Sequence, residues 1–464
     1  MGQAGLMVSV SGIRGRVGEA LTPEVVATYA AAFGAWALRG HPGRPVVVGR
    51  DSRVSGPMFH RVVIGALQSV GVNVVDIGLT TTPTCQLAVE PHHAAGGIMI
   101  SASHNPVEWN ALKFIASSGL FLDAAEGSEM RALADRGIPR ATWDRLGSVE
   151  SDNLAAQRHL ERVLAIPYLD VAAIRARHFR VALDCVRGAG SVIVPALLER
   201  LGCTVSAIHT EPDGRFPHEP EPVAQNLRDL ERLVRDAGAD VGIAVDPDVD
   251  RLALVSEQGK AIGEDYTLAL ASMLVLRHRR GPVVTNLSTS LVVEDAVTRG
   301  GSTLSRAPVG EINVAMKMRD VRAVVGGEGN GGVILPEVHL GRDAPVGIAL
   351  VLQLLAETGK TISALTAELP RYAIVKDKLD RPDASLESVY GALREAFGDA
   401  IADTQDGLRL AWKDRWLHVR PSGTEPIVRV IAEAPSEREA QQLVGRARSL
   451  LERLKTPAAA AAAR

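Results

Sequence analysis

The amino-acid sequence predicts an α/β fold in which three related α/β domains with mixed sheets precede a smaller C-terminal α+β domain. A strand, a helix and a second strand follow one another in three separate parts of the chain, which favours three similar units over one large sheet. The chain has 464 residues, more than one hydrophobic core usually supports. The pattern changes after Pro370, where short strands and two helices predict an α+β unit.

Each repeated unit begins with an apolar strand that ends in a polar or glycine-containing turn, after which a helix follows. The helices of the three units are predicted over 56–70, 190–201 and 291–298. An earlier helix is predicted to begin at Thr22, a capping residue, with Pro23 in its first turn. Polar or proline-bearing stretches between the units predict four domains, with the boundaries 1–150, 151–257, 258–369 and 370–464.

The composition argues against several classes of function. The formal net charge of −3 offers no general attraction to nucleic acid or to an anionic membrane, and aromatic residues make up only 4% of the chain. No apolar run is long enough to cross a bilayer and no leader-like segment opens the sequence, so a cytoplasmic location is expected. Cys85, Cys185 and Cys203 show no paired spacing and are expected to be buried thiols.

The first candidate site is a polar turn at the end of a short apolar strand. Residues 97–100 are predicted as a buried strand, and residues 101–106, Ser-Ala-Ser-His-Asn-Pro, form the turn. Ser103 and His104 are adjacent there and Lys113 follows, so a hydroxyl, an imidazole and an ammonium group can converge. Taken alone, the stretch slightly favours a hydroxyl-rich surface turn.

Three aspartates follow a second predicted strand. Asp246, Asp248 and Asp250 stand on alternate residues of a loop that contains proline, and another strand follows this loop. Carboxylates this close repel one another unless a cation neutralises them, and oxygen ligands suit a hard divalent ion. An EF-hand is excluded because Arg251 stands where that loop needs glycine and because strands flank it. A solvated acidic hairpin is the weaker alternative.

A glycine-rich loop exposes Glu328 and Asn330. A formal G-x-G-x-x-G match over 327–332 is a poor dinucleotide-binding signature, because an apolar Val-Ile-Leu run follows where a helix should begin. The two side chains suit the hydroxyl groups of a polar ligand, and Arg342 with Asp343 is placed to extend that surface. A flexible loop with incidental polar residues is the alternative interpretation.

The last candidate loop lies between two predicted strands near the end of the chain. It contains Arg420, Ser422, Gly423 and Thr424, and Arg429 follows on the next strand. A guanidinium, two hydroxyls and backbone amides beside a glycine are groups that bind a phosphate dianion. An ordinary β-turn with an arginine is the alternative, but phosphate binding is favoured when the acidic loop is considered with it.

Together, in this order and over nearly the whole chain, the four loops resemble those of the α-D-phosphohexomutase superfamily. Residues 101–106 resemble its phosphoserine loop, 246–251 its metal loop, 326–329 its sugar-binding loop and 420–426 its phosphate-binding loop. The resemblance implies four domains around a central cleft, each contributing one loop. It also implies an enzyme that moves a phosphoryl group between C6 and C1 of a hexose through a phosphoserine and a bisphosphate intermediate.

The resemblance further implies a role for each matched residue. Ser103 is expected to carry the phosphoryl group and to complete, with Asp246, Asp248 and Asp250, the ligands of Mg²⁺. The other catalytic residues it implies are Arg14, His104, Lys113 and Arg251. The substrate-binding residues it implies are Gly310, Glu328, Asn330, Arg420, Ser422, Gly423, Thr424 and Arg429. A hexose 1,6-bisphosphate is the expected activator and a phosphosugar the expected partner of a monomer or homodimer.

This chain departs from the superfamily pattern in two places. Several members carry serine and then histidine where this chain has Asn330 and Gly332, so no histidine acid or base is transferred, and His339 is a candidate substitute. The superfamily often has Asn-Gly-x-Lys where this chain reads Asn-Ala-Leu-Lys over 110–113.

Within the superfamily, the last loop most resembles that of the phosphoglucosamine mutases, which interconvert glucosamine 6-phosphate and glucosamine 1-phosphate. Mannose or glucose phosphates are the alternative substrates, because the glycine-rich loop points to a branch in which both activities occur. A non-catalytic phosphosugar-binding protein is a hypothesis of another class, which the intact Ser103 and the three aspartates disfavour. A metal-dependent phosphatase is the third hypothesis, and release of free phosphate would distinguish it.

Overall fold

The structure, a computed structural model, describes residues 5–382, 384–422 and 427–454. Its first unit consists of β1 (Met7–Val8), β2 (Gly12–Arg16), α1 (Pro23–Gly40), β3 (Val46–Arg50), α2 (Gly56–Gln68), β4 (Val74–Leu79), α3 (Thr82–Ala88), β5 (Gly96–Ile100), β6 (Trp109–Ala116), α4 (Ala124–Arg136) and β7 (Val149–Ser151). The strands form one sheet in the order β1-β2-β6-β5-β3-β4-β7. Because β3 and β5 are parallel neighbours, the loops that follow them leave the same edge of the sheet.

The second and third units share one sheet topology. The second consists of α5 (Ala155–Leu164), α6 (Val171–Ala176), β8 (Arg180–Asp184), α7 (Gly190–Arg200), β9 (Thr204–Ile208), α8 (Arg228–Ala237), β10 (Val241–Val245) and β11 (Leu252–Ser256). The third consists of α9 (Asp265–His278), β12 (Val283–Asn286), α10 (Leu291–Arg299), β13 (Leu304–Ala307), α11 (Glu311–Val321), β14 (Val325–Glu328), β15 (Gly332–Ile334), α12 (Ala344–Thr358) and α13 (Ile362–Ala367). Each sheet has three parallel strands and one antiparallel edge strand, in the orders β11-β10-β8-β9 and β13-β12-β14-β15.

The fourth unit is smaller and differs in class. It consists of β16 (Ala373–Asp380), α14 (Leu386–Ala396), β17 (Ile401–Asp403), β18 (Leu408–Ala411), β19 (Trp416–Pro421), β20 (Ile427–Ala434) and α15 (Glu437–Arg453). All its strand pairs are antiparallel, in the order β16-β20-β19-β18-β17. The predicted fold class is therefore confirmed, with mixed sheets in the first three units and an α+β fourth unit. The domain boundaries themselves stay predictions.

The second and third units are joined through one hydrophobic core. The helix α12 is apolar on all sides and its first twelve residues, 344–355, are buried. It packs against α5, α6 and α7 of the second unit and against α9 and β15 of the third. The acidic loop and the glycine-rich loop are therefore positioned by one shared core.

Local sequence signals agree well with the observed helix starts. Thr22 caps α1 through its side chain and Pro23 is the first helical residue, as predicted.

Cys85 and Cys185 are buried thiols, and Cys203 is partly buried. No helix within the described ranges is long and apolar enough to span a membrane.

Candidate active site

Ser103 lies in the turn that follows β5. Its backbone adopts φ +50°, a left-handed conformation that residues other than glycine rarely use, and the residue is 4% exposed. The Ser103 Oγ donates a hydrogen bond of 2.8 Å to Asp246 Oδ2, although the two residues are 143 positions apart. The fold therefore brings together the predicted phosphoserine and a predicted metal ligand.

The phosphoserine turn, which is residues 101–106 with the predicted phosphoserine Ser103, is held by Arg53. This residue is fully buried, and the sequence analysis missed its role. Arg53 Nε donates to Asp51 Oδ2 at 3.1 Å, which compensates its charge. The guanidinium also donates to four backbone carbonyl groups, those of Ser103 (2.6 Å), Asn105 (2.6 Å), Pro106 (2.7 Å) and Trp109 (2.9 Å). A single side chain thus fixes the course of the backbone from Ser103 to Trp109.

The three aspartates are fully buried in the loop between β10 and β11, and one oxygen of each lies within 4.8 Å of the others. Asp246 Oδ1 accepts hydrogen bonds from the backbone amides of Asp250 (3.1 Å) and Arg251 (3.2 Å). Asp248 Oδ1 and Asp250 Oδ1, in contrast, are buried without a hydrogen-bond partner. Orphaned carboxylate oxygens beside a third carboxylate form the donor set that a hard divalent cation prefers, so these residues fit Mg²⁺.

Burial and charge act in opposite directions on two of these carboxylates. Burial, followed by the charges of Asp250 and Asp248, raises the pKa of Asp246 well above its usual value. Burial also acts to raise the pKa of Asp248, but the Lys113 ammonium, 2.5 Å from Asp248 Oδ2, outweighs it and lowers that pKa. The crowded negative charge is the condition under which a bound cation stabilises a site.

Lys113 and Arg14 lie on the neighbouring strands β6 and β2 of the first sheet, and Lys113 contacts the aspartates. Lys113 also lies 3.7 Å from Asp250, and burial lowers its pKa less than the carboxylates raise it. Arg14 donates a hydrogen bond of 2.7 Å to Asn105 Oδ1 in the phosphoserine turn. The positively charged side chains of Lys113 and Arg14 therefore both lie at the site. The oxygens of a bound phosphate can replace some of their present hydrogen-bond partners.

His104 stands beside Ser103 but is poorly placed to take its proton. The His104 Nδ1 lies 3.4 Å from the Ser103 Oγ, and the His104 Nε2 lies 3.9 Å from Glu221 Oε1. Burial, followed by the charges of Arg251 and Arg14, lowers the pKa of His104 well below its usual value. The same Glu221 pairs with Arg251 at 3.2 Å. His104 is thus a neutral ring between the turn and the metal loop, a position that suits shaping the turn.

Arg342 connects the metal loop with the glycine-rich loop. Its guanidinium nitrogens lie 2.6 Å from Asp250 Oδ2, 2.6 Å from Glu328 Oε2 and 3.0 Å from Glu311 Oε2. The sequence analysis placed Arg342 on the sugar-binding surface and missed its contact with the aspartates. No local sequence pattern predicts this contact, because Arg342 and Asp250 are 92 positions apart and only the tertiary fold brings them together.

Glu328 ends β14 and is 3% exposed, so the prediction that the glycine-rich loop exposes this side chain is wrong. Its Oε1 accepts hydrogen bonds from Asn286 Nδ2 at 2.8 Å and from the Gly310 amide at 3.1 Å, and Asn330 Nδ2 lies 3.4 Å from Oε2. Gly310 has φ +124°, a conformation that suits glycine and directs this amide to the carboxylate. Glu328 therefore contacts two other predicted substrate-binding residues, Gly310 and Asn330.

These residues surround a cleft of about 300 Å³. The first three units all contribute to its walls, through Arg14, Ser103, His104, Lys113, Arg251, Gly310 and Arg342. Glu328 contacts that wall through Arg342 and the Gly310 amide, and Asn330 contacts Glu328. Among the described residues of the fourth unit, none lines this cleft.

The predicted phosphate-binding loop lies partly outside the described residues, since Gly423 and Thr424 fall in the gap between 422 and 427. Arg420 and Arg429 stand directly opposite each other on β19 and β20, so their side chains leave the same face of the sheet. Asp406 Oδ2 lies 3.0 Å from Arg420 Nε and accepts the Val309 amide at 3.1 Å. This contact places Arg420 next to the segment that carries Gly310.

Two further placements bear on catalysis. Thr82, which the sequence analysis did not select, donates a hydrogen bond to Asp248 Oδ2 from the start of α3.

His339 does not line the cleft. Its Nε2 lies 2.9 Å from Asp343 Oδ2, and its Nδ1 accepts a hydrogen bond of 3.2 Å from the Gly341 amide. In this structure, His339 is therefore not placed to replace the histidine that the glycine-rich loop lacks.

Four family models for phosphoglucomutase/phosphomannomutase domains match the chain one after another. The α/β/α domains I, II and III match residues 6–138, 157–259 and 263–372, and the C-terminal domain matches residues 373–450. The chain belongs to the phosphoglucomutase/phosphomannomutase family. As a member of this family, which falls in the predicted superfamily, the protein is an enzyme of the phosphomutase class.

Curated relatives and solved structures resemble the chain over almost its whole length. A protein of Methanopyrus kandleri named "Probable phosphoglucosamine mutase" is 39% identical, over 95% of this chain and 96% of that protein. A "Phosphoglucomutase/phosphomannomutase" of Thermococcus kodakarensis is 37% identical, over 97% and 99%. The crystal structure of a family protein from Burkholderia thailandensis superposes with a TM-score of 0.84 at 26% identity, over 97% and 98%.

Proposed function

We propose that this phosphomutase is a phosphoglucosamine mutase, which moves a phosphoryl group between O6 and O1 of glucosamine phosphate by way of Ser103. The observation that carries the proposal is the 2.8 Å contact between Ser103 Oγ and Asp246 Oδ2. This contact joins the Ser103 hydroxyl to one of three buried carboxylates that fit Mg²⁺, which supports Ser103 as the phosphoryl carrier. Kinship with proteins named phosphoglucosamine mutase, together with the form of the last loop, supports glucosamine as the sugar.

The reaction consists of two transfers. In the first, the bond between phosphorus and Ser103 Oγ breaks while phosphorus bonds to the free hydroxyl of the sugar phosphate. That hydroxyl loses its proton to a base and Ser103 Oγ takes up a proton, so a sugar bisphosphate and an unmodified serine result. In the second, the bond between the other phosphoryl group and the sugar oxygen breaks while its phosphorus bonds to Ser103 Oγ, the Ser103 hydroxyl loses its proton and the product oxygen takes one up. No phosphate is consumed, so a catalytic amount of hexose 1,6-bisphosphate is sufficient to activate the enzyme.

The protein contributes mainly position and charge to these steps. Arg14, Lys113 and Arg251 face the cleft, where they compensate the charge that the transferring phosphoryl group spreads over its oxygens. Mg²⁺, held by the three aspartates and the phosphate of Ser103, would supply further compensation of that charge.

The substrate is proposed to be bound, at the end away from Ser103, by residues of the third and fourth units. Glu328, Asn330 and Gly310 are proposed to orient the sugar hydroxyls, directly or through Arg342. Arg420 and Arg429 stand directly opposite each other on β19 and β20, so both side chains leave one face of the sheet and can bind the same anion. The non-reacting phosphate is proposed to bind there, to Arg420, Ser422, Gly423, Thr424 and Arg429.

A substrate panel tests the proposal. The purified enzyme, with Mg²⁺ and catalytic hexose 1,6-bisphosphate, is expected to turn over glucosamine 1-phosphate with a higher kcat/KM than mannose 1-phosphate or glucose 1-phosphate. The reverse order would favour a phosphomannomutase/phosphoglucomutase, the second candidate, which the relative from Thermococcus kodakarensis supports. Release of inorganic phosphate at the rate of sugar turnover would instead indicate a phosphatase. Binding without turnover would indicate a phosphosugar-binding protein.

A further inference from the structure

We infer that Asp184, His209 and His218 form a second metal site, for a transition-metal ion such as Zn²⁺, in the second unit. None of the three residues lines the cleft that contains Ser103. They are brought together by the end of β8, the residue after β9 and the loop that follows it.

The distances within this cluster suit a shared ion. Asp184 is 1% exposed, its Oδ1 lies 3.0 Å from His209 Nδ1, and its Oδ2 lies 3.1 Å from His218 Nε2. One ligand atom from each residue lies within 4.8 Å of the other two. Ligand atoms roughly 2.0–2.1 Å from a tetrahedral zinc ion are separated by roughly 3.3 Å. Small adjustments of three side chains are therefore sufficient to accommodate the ion.

The second nitrogen of His218 provides an independent argument. The His218 Nδ1 lies 2.9 Å from the backbone carbonyl oxygen of Glu219, which can only accept a hydrogen bond, so Nδ1 carries the hydrogen. Nε2 then faces Asp184 Oδ2 either with a second proton, as an imidazolium, or with a lone pair. A metal ion that replaces this proton would bind both the nitrogen and the carboxylate. Histidine ligands of metals characteristically donate their other ring nitrogen to a carbonyl or carboxylate group in this way.

The donor set selects the class of ion. Two imidazoles and one carboxylate suit Zn²⁺ and neighbouring transition metals, whereas Mg²⁺ prefers oxygen ligands, as in the aspartate loop. Two neutral imidazoles and one carboxylate carry a single negative charge, which a divalent cation compensates. Asp184 Oδ1 also accepts the Val186 amide at 2.8 Å, so one ligand is already fixed in orientation.

The position of this site suggests a structural role. The loop between His209 and His218 contacts the segment that supports the phosphoserine turn. A Cβ added at Gly214 would lie 2.3 Å from the Ser52 carbonyl oxygen, and the ring centroid of Phe216 lies 5.0 Å from the Arg53 guanidinium. An ion that joins the two ends of this loop therefore stabilises the support of Arg53.

The test uses the full-length protein in excess Mg²⁺. After equilibration with Zn²⁺ and gel filtration, elemental analysis is expected to find one zinc ion per chain in the wild type and in Asp246→Asn, which alters the cleft. His209→Gln and His218→Gln are expected to bind zinc at least about 10-fold more weakly. His92→Gln is the matched control, because it removes a comparable histidine–aspartate contact, 2.8 Å from Asp152, outside the cluster.

A second readout keeps the test valid if a variant folds poorly. Zn²⁺ is expected to raise the thermal unfolding midpoint of the wild type and of His92→Gln and to leave that of His218→Gln unchanged. Absence of bound zinc in the wild type, or equal zinc affinity in the wild type and His218→Gln, would overturn the inference. Those results would identify the cluster as a hydrogen-bonded group without a metal.

Discussion

The side chain of Arg342 runs across Gly332, so closely that a Cβ added at position 332 would lie 2.3 Å from Arg342 Cδ and 2.9 Å from its Cγ. Position 332 is also where several superfamily members carry histidine. A side chain at this position and the observed course of Arg342 exclude each other. The glycine and the arginine therefore depend on each other, and through Arg342 the glycine-rich loop contacts Asp250, a predicted metal ligand.

Gly332→Ala is expected to displace Arg342 and to lower kcat/KM by roughly 10- to 100-fold, because charge-assisted hydrogen bonds contribute about 1.5–3 kcal/mol each. Steady-state kinetics measure the effect. Gly445→Ala is the control, since an added Cβ on α15 meets no atom within 4 Å there. A Gly332→Ala enzyme with wild-type kinetics would show that the position of Arg342 is unimportant for turnover.

Arg53→Lys is expected to reduce kcat more than it changes KM. A lysine retains the charge but cannot donate to the carbonyls of Ser103, Asn105, Pro106 and Trp109 in one plane, so the turn loses its fixed course. The matched control is Arg50→Lys, because Arg50 donates only to the Asp51 carbonyl among the hydrogen bonds observed for its side chain. Equal kcat in the two variants would contradict the role given to Arg53.

The sequence predicted those parts of the site whose signal is local. The strands over 241–245 and 252–256 agree with the structure, and the polar turn follows β5 as expected, because short apolar runs and turn residues act on their own neighbourhood. The contacts of Arg53 with the turn and of Arg342 with Asp250 carry no such signal. The turn carbonyls lie 50 to 56 positions from Arg53 and Asp250 lies 92 positions from Arg342, so only the folded chain identifies these contacts. The roles of Gly423 and Thr424 stay predictions.

Asp265→Asn is expected to change how stability depends on pH. Burial raises the pKa of Asp265 to about 7, and its Oδ1 accepts the Ser290 amide at 2.8 Å, a bond that asparagine can keep. Because the folded-state pKa lies above the unfolded value of about 3.9, the stabilisation is complete at low pH and is lost as the pH rises through the folded-state value.

The measurement compares thermal unfolding midpoints of the wild type and Asp265→Asn from about pH 4 to pH 8. The wild type is expected to lose stability relative to the variant as the pH increases. A difference between the two proteins that stays constant over this range would contradict the raised pKa.

Removal of divalent metal is expected to abolish turnover, and Mg²⁺ is expected to restore it. Asp248→Asn, which removes one of the buried carboxylates, is expected to require at least about 10-fold more Mg²⁺ for half-maximal rate. Asp229→Asn provides the control, because Asp229 pairs with Arg232 on the exposed surface of α8. Full activity in the presence of a chelator would contradict the assignment of the aspartate loop.

The central claim is that Ser103 carries the phosphoryl group, and mass spectrometry of the enzyme during turnover tests it most directly. Incubation with a hexose 1,6-bisphosphate is expected to add one phosphate, located on the peptide that contains Ser103, and glucosamine 6-phosphate is expected to remove it with formation of the bisphosphate. Ser103→Ala is expected to acquire no phosphate and to show no mutase turnover. A Ser103→Ala enzyme that interconverts the two glucosamine phosphates at the wild-type rate would contradict the account.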